Sequence, residues 1–352
     1  MSRRGKLLLA GVILITVAGG IRFGRPLWTR VRVAQLTRQL ASESAELRAE
    51  AAQALSEMGP AAAPALPELA ERLRDEDLGV CMWAASALGN IGEPAVPALT
   101  EGLNDESRAV RMRAAWALAQ VGPAAAPTVP VLVADLSHES HWVRVRAARA
   151  LGSIGPPALP AVVDCLDRDD PRERMAAAWA LREMGPLAAP AAPQLAELLG
   201  DEQRDLRLAA ASALAETGPG AAEAVPALVE RLQDDDRAVR GTAADALGKM
   251  GPSAAPAAPE LARLARQDVA DVRRDAITAL GRIGDMADET VPALTNALTD
   301  GEASVRGVAA RALGDMGPAA SEAVPQLTEA LEDDSGFVRE MAQEALGKIG
   351  GE

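Results

Sequence analysis

The chain is 352 residues long, with five Trp, two Phe, no Tyr, two His and two Cys, which leaves little material for catalytic chemistry. Its net charge of −14 is unevenly placed: residues 1–150 carry 17 Lys+Arg against 15 Asp+Glu, while residues 151–352 carry 19 against 35, or −16. The acidic half would repel phosphate, so the composition argues against nucleic acid as a partner.

At the N-terminus, Arg3, Arg4 and Lys6 precede an uncharged run, Leu7 to Ile21, that Arg22 closes. Basic, then apolar, then small is the layout of an export signal. The run is short for a span of about 20 residues, although Phe23 to Leu27 could extend it through the interface, where Trp28 would also sit. Residues 1–25 are therefore expected to form an uncleaved signal-anchor, or else a signal peptide cleaved near Thr16-Val17-Ala18, with residues 26–352 as the folded part. This predicts a protein of the bacterial cytoplasmic membrane with one N-terminal anchor and its bulk on the outer, periplasmic side. The alternative is secretion after cleavage.

From there one pattern recurs ten times, ending at Gly59, Gly92, Gly122, Gly155, Gly185, Gly218, Gly251, Gly284, Gly317 and Gly350. The gaps are 33 or 30 residues, a period that means stacked supersecondary units and not a single globular core. In the copy from Ala222 to Gly251, Val225, Leu228, Val229 and Leu232 have helical spacing. So do Val239, Ala243, Ala246, Leu247 and Met250 in its second half. Asp234 to Asp236 between them can cap the second helix. Gly251 is expected to end it as a left-handed residue, and Pro252 blocks continuation. One hairpin cannot bury two apolar stripes, but a stack can. The predicted fold is an all-α solenoid of about ten stacked helical hairpins.

The string V-R-x-x-A-A-x-A-L-G-x-I-G, matched well at Val110–Gly122, Val143–Gly155 and Val239–Gly251, resembles HEAT repeats of the phycobilisome-lyase-like type. The resemblance covers roughly residues 43 to 350 and implies a right-handed superhelix whose second helices line the concave face. The motif arginine recurs as Arg48, Arg111, Arg144, Arg174, Arg207, Arg240, Arg273, Arg306 and Arg339, with Cys81 in its place in the second copy. Six residues earlier stand Asp75, Asp105, Asp201, Asp234, Asp300 and Asp333, with His138, Arg168 and Gln267 as departures. The resemblance implies that these Asp and Arg residues bond between adjacent repeats as a structural ladder.

Few groups suggest chemistry. His138 and His141 share one interhelical turn with Asp135 and Glu139 nearby, and are read as turn residues, not metal ligands. HEAT-repeat deoxyhypusine hydroxylases need several His-Glu pairs, and this chain has only His138-Glu139. Asp75 to Asp77, Asp169-Asp170 and Asp234 to Asp236 lack the later Glu of a calcium loop and read as caps. Cys81 and Cys165 are expected to be small buried residues. No enzyme activity, metal or cofactor is predicted.

What remains is a surface. Counting from the motif arginine as zero, positions 3, 4, 6 and 7 are small or apolar, while 2, 5 and 9 vary and share one helical stripe. On that stripe the second to fifth copies carry Trp83, Arg113, Trp116, Arg146, Arg149 and Trp179, the residue types that dominate binding hot spots. The leading functional expectation is a membrane-tethered or exported scaffold that binds a protein or peptide in a concave groove through this patch. The alternatives are a lyase-like or chaperone subunit for a cofactor-bearing protein, and a passive structural rod.

Overall fold

The computed structural model describes residues 24–284 and 287–351. The expected anchor over residues 1–25 lies outside them except for its last two residues. Two compact units emerge, Met1–Ile154 and Gly155–Glu352. In the first, the described helices are α1 (Gly24–Gln39), α2 (Ala45–Met58), α3 (Leu66–Arg72), α4 (Leu78–Ile91), α5 (Val96–Leu103), α6 (Arg108–Val121), α7 (Val129–Ala134) and α8 (His141–Ile154). The second holds α9 (Leu159–Asp164), α10 (Pro171–Met184), α11 (Ala192–Leu198), α12 (Arg204–Thr217), α13 (Val225–Arg231) and α14 (Arg237–Met250). It continues with α15 (Ala258–Gln267), α16 (Ala270–Ile283), α17 (Ala287–Ala297), α18 (Ala303–Asp315), α19 (Val324–Glu329) and α20 (Gly336–Gly350). No residue among those described is in a strand.

Four second helices start where a capping side chain satisfies exposed amides. Ser44 accepts from Leu47 N–H, Asp77 from Val80, Asp170 from Arg172, and Asp236 from both Ala238 and Val239. Within the Asp234–Asp236 run only Asp236 is the cap; Asp234 serves the ladder described below. Most second helices end at glycines of positive φ outside the expected left-handed helical region; the last, which runs through Gly350, ends at Gly351 within it, at φ 78° and ψ 26°. Gly251 has φ 61° and ψ −139°, a region essentially reserved for glycine. The proline that follows disfavours helical ψ before it, but Gly92, followed by Glu93, holds the same conformation at φ 84° and ψ −143°, so proline is not the whole cause. The chain then makes a 3-10 segment, as in Gly251–Ala257, that fills the turn before the next first helix.

The core is made of leucine and alanine. In α14, Val239, Ala243, Ala244, Ala246, Leu247 and Met250 are buried, as the sequence spacing predicts. Burying a leucine such as Leu247 contributes about 1.5–3 kcal/mol. Second helices approach so closely that side chains are excluded at one position. A Cβ on Gly248 would lie 2.8 Å from Ala279 Cα, on Gly281 2.7 Å from Ala312 Cβ, and on Gly314 2.7 Å from Ala345 Cα.

That approach brings each motif arginine within reach of two turns. Arg207 donates from Nη1 to the carbonyls of Asp201 and Glu202 in its own turn, and from Nε and Nη2 to both oxygens of Asp234 in the next, at 2.7 and 2.9 Å. Arg48–Asp75, Arg273–Asp300 and Arg306–Asp333 repeat the two-pronged bond, and Arg174 pairs with Asp201 at 3.2 Å. Each Asp also accepts the amide two residues on, as Asp234 does from Asp236 N–H.

The departures are accommodated one by one. Where Gln267 stands at the expected acid position, Asp268 receives Arg240 at 2.6 and 2.7 Å. Where Cys81 replaces the arginine, Arg74 pairs with Asp105, and Arg113 donates to the Leu73 carbonyl at 2.9 Å. His138 stands in for an Asp: its Nδ1 accepts Ser140 N–H at 2.9 Å while its Nε2 lies 3.4 Å from Arg111 Nη2. A neutral imidazole has one donor and one acceptor, so it cannot accept from both neighbours, and Arg111 Nε is left buried without a partner. Arg144 binds the His138 and Glu139 carbonyls of its own turn, and the following copy carries Arg168 in place of an acid.

The ladder predicts a pH dependence. Burial pushes the Asp75, Asp234, Asp268 and Asp300 carboxyls up, but hydrogen bonds from arginine and from backbone amides outweigh it and hold all four low. Asp333 is held low chiefly by its bond to Arg306. The folded state thus binds these protons less readily than the unfolded chain. Their stabilisation is complete above pH ~4 and is lost as pH falls through the lowered values. Asp135 and Asp275, raised by burial, act in the opposite sense but are fewer. Urea midpoints should therefore hold between pH 7 and 5 and drop below pH 4, with a shallower drop in Asp234→Asn; equal slopes in both proteins would contradict this. A second outcome concerns His138→Asp, which gives Arg111 a carboxylate and should stabilise the protein by about 1–2 kcal/mol in urea unfolding.

Candidate functional site

The variable stripe of the second helices is built by the same packing that buries positions 3, 4, 6 and 7. In the first unit α4, α6 and α8 pack in succession and display Trp83, Trp116, Arg146 and Arg149. Trp83 is 39% exposed and Arg149 is exposed, whereas Trp116 and Arg146 are half-buried. None of these four makes a hydrogen bond or ion pair among the described residues. Arg113 differs, since its guanidinium is turned to the Leu73 carbonyl beside Cys81. Trp179 lies on α10 in the second unit and is half-buried. Off the stripe, Trp142 is exposed with its ring edge-on to His141 at 5.6 Å, and Trp28 is exposed on α1.

Position 2 does not face solvent throughout. Ala176, Ala209 and Val308 occupy it and are buried, because close helix packing covers a short side chain there. Trp83 at the same position is exposed, and Asp275 is half-buried with its carboxylate against Gly241 of the neighbouring helix.

The second unit offers a different surface on the same stripe. A cavity of about 660 Å³ opens along α12, α14 and α16, with Ser212, Asp245 and Thr278 from position 5 and Thr242 and Asp275 from position 2 among its walls. Asp271, Arg237 and Arg282 also border it. Asp245 is paired with Arg282 at 3.0 Å and Lys249 at 3.3 Å, and Asp271 with Arg274 at 3.4 Å. Asp275 has no such bond among the described residues. Burial raises its carboxyl above the ordinary range, Arg274 opposes that, and Asp245 and Asp271 add to it. Its Oδ2 lies 2.7 Å from the place a Cβ on Gly241 would take. The sequence reading, drawn to tryptophan and arginine, passed over this cavity; its signal was Gly241 beside two consecutive copies with small polar or acidic residues on the stripe.

No group of three or more His, Cys, Asp or Glu side chains suited to a metal occurs among the described residues. Cys81 and Cys165 are free and buried, and burial pushes the Cys165 thiol up to about 11.

Comparison with known proteins follows this architecture. The HEAT repeats model matches residues 33–119, 96–182, 129–215, 191–281 and 291–352, and the PBS lyase HEAT-like repeat model matches residues 272–300. No curated protein matches the sequence. Importin beta, crystallised in an ammonium sulfate condition, is similar in fold with a TM-score of 0.60 at 16% identity, over 100% of this chain and 54% of that one. Kap121p bound to Nup53p gives 0.61 at 15% identity, over 90% and 41%. An engineered protein is 26% identical over 91% of this chain and 99% of its own, with a TM-score of 0.48. The chain thus spans about half or less of the importin beta and Kap121p chains. With the repeat model matching most of its length, copy upon copy, the chain belongs to the HEAT-repeat family.

Proposed function

We propose that this chain is a non-enzymatic scaffold that binds a segment of another protein along the stripe of its second helices, with residues 1–25 as a membrane tether. The observation that carries the reading is the patch of Trp83, Trp116, Arg146 and Arg149. These are large hot-spot residue types without internal hydrogen-bond partners, on a face where most copies carry smaller side chains. Trp179 extends the same residue choice into the next copy. Solved solenoids of similar fold have protein ligands, Kap121p being described bound to Nup53p and to Pho4p. The basic-apolar layout of Arg3 to Arg22 supports the tether and an exported solenoid.

Affinity capture with the full chain tests the patch. Trp83→Ala/Arg149→Ala removes two exposed side chains, so circular dichroism should be unchanged while a partner captured by the wild type is lost. Retention of every partner by this variant would place function elsewhere. Protease treatment of spheroplasts tests the tether: digestion before lysis is expected, and protection until lysis would reject an exported solenoid.

A further inference from the structure

The cavity on α12, α14 and α16 holds a carboxylate, that of Asp275, which no hydrogen bond or ion pair joins among the described residues. Asp275 is half-buried, which disfavours its ionised form, and its neighbours Asp245 and Asp271 are of like charge. The nearby cations are engaged elsewhere: Arg282 on Asp245, Lys249 on Asp245 and Glu216, and Arg274 on Asp271. Arg237 is exposed at the rim, and no ion pair joins it to Asp275 among the described residues. Thr242 and Thr278 donate their hydroxyls to their own helices, at the Ala238 and Arg274 carbonyls, which leaves oxygen lone pairs for a donor from outside. Gly241 completes the recess, since its missing Cβ is what gives the Asp275 carboxylate its place against α14.

We propose that this cavity receives a lysine or arginine side chain of a partner protein, with Asp275 as its counter-ion. The proposal rests on the scaffold reading above and assigns that scaffold a second site and a partner chemistry. An ammonium or guanidinium donates without accepting, which matches the carboxylate and hydroxyl oxygens of Asp275, Thr242 and Thr278, while the guanidinium of Arg282 in the same wall is taken up by Asp245. A partner cation would stabilise the ionised form that burial disfavours, and the bond would form in a recess where water screens it less than at the surface. The unit as a whole favours the same sign, with 19 Lys+Arg against 35 Asp+Glu from residue 151 onward, so a basic segment is drawn toward it before it docks. A volume of about 660 Å³ admits a long side chain together with the backbone that presents it. The cavity runs across three successive second helices, which suits an extended polypeptide.

The test uses the full chain and an acetylated, amidated nonalysine peptide, with nonaglutamate as the opposite-charge control and fluorescence anisotropy as the readout. Three variants separate site from field. Asp275→Asn removes the counter-ion; Glu329→Gln removes the same charge from an exposed position on α19; Gly241→Ala keeps the charge but displaces the carboxylate. Asp275→Asn should weaken nonalysine about tenfold and Gly241→Ala several-fold, while Glu329→Gln changes it less than twofold. Equal loss in Asp275→Asn and Glu329→Gln would reduce the binding to the general acidic field and overturn the proposal. So would binding of nonaglutamate with equal affinity. Spermine carries the ammonium chemistry without a peptide backbone; tight spermine binding in the absence of nonalysine binding would overturn the polypeptide source. The two readings fail separately. A partner lost by Trp83→Ala/Arg149→Ala but retained by Asp275→Asn leaves the scaffold standing without this site. Asp275-dependent nonalysine binding with no partner lost in the tryptophan variant leaves this site standing without that patch.

Discussion

The arginine near the start of every second helix but α4 sets the geometry on which the stack depends. Its guanidinium is planar and has donors on two edges, so one side chain can hold the turn of its own hairpin and the carboxylate of the next at once. In Arg207 these two grips are 3.0 Å and 2.7–2.9 Å long, on side chains that are 14% and 3% exposed. A bidentate pair at that depth fixes rotation as well as distance between hairpins. Removing one partner would leave the other charge buried, a loss of about 3–5 kcal/mol where burial is complete and less here. Around Cys81 the lapse is covered by Arg74 and Arg113, whereas at His138 and Arg168 the bond to the next copy's carboxylate is missing.

The ladder can exist only because the helices approach closely, and that in turn is a matter of what is missing from them. Gly248, Gly281 and Gly314 let one helix backbone rest against alanines of the next. A larger side chain at any of them would push the hairpins apart and lengthen several guanidinium bonds together. Overpacking of this kind costs about 1–3 kcal/mol locally, but in a stack the displacement is passed to the adjoining rung. Small residues and charged ones are thus parts of a single device.

Most of that device could be read from the sequence, because it repeats. The hairpins and the caps at Asp77, Asp170 and Asp236 follow from a fixed period and known helix chemistry, and the pairing of arginine with the next copy's acid from the resemblance to HEAT repeats. What escaped depends on local deviations from the period. Asp268 serves Arg240 because α15 runs ten residues, three more than α13, and carries the acid one place further along the chain. The 3-10 segments and the unusual ψ of most helix-ending glycines were also not legible, since the same conformation occurs before Pro252 and before Glu93. Arg113 looked like a surface residue because its use depends on the vacancy at Cys81, which lies 32 positions away. The cavity beside Asp275 escaped for a similar reason: it is defined by a gap at Gly241 and by which neighbouring cations are already paired.

Repetition also tells where function can reside. A residue present in nearly every copy is accounted for by packing or by the ladder, since the stack needs it whether or not anything binds. Only residues that differ from copy to copy can distinguish one partner from another, and the fold confines most of these to a single stripe. On that stripe the first unit presents tryptophan and arginine, and the second presents aspartate, threonine and serine. Such a division is not required by the fold, because alanine at the same positions packs well, as Ala176 and Ala209 show. Two surfaces of different chemistry on one repeated framework are therefore not accounted for by the needs of the stack. Aromatic and guanidinium groups offer area and strong anchoring, while a recessed carboxylate offers discrimination by charge.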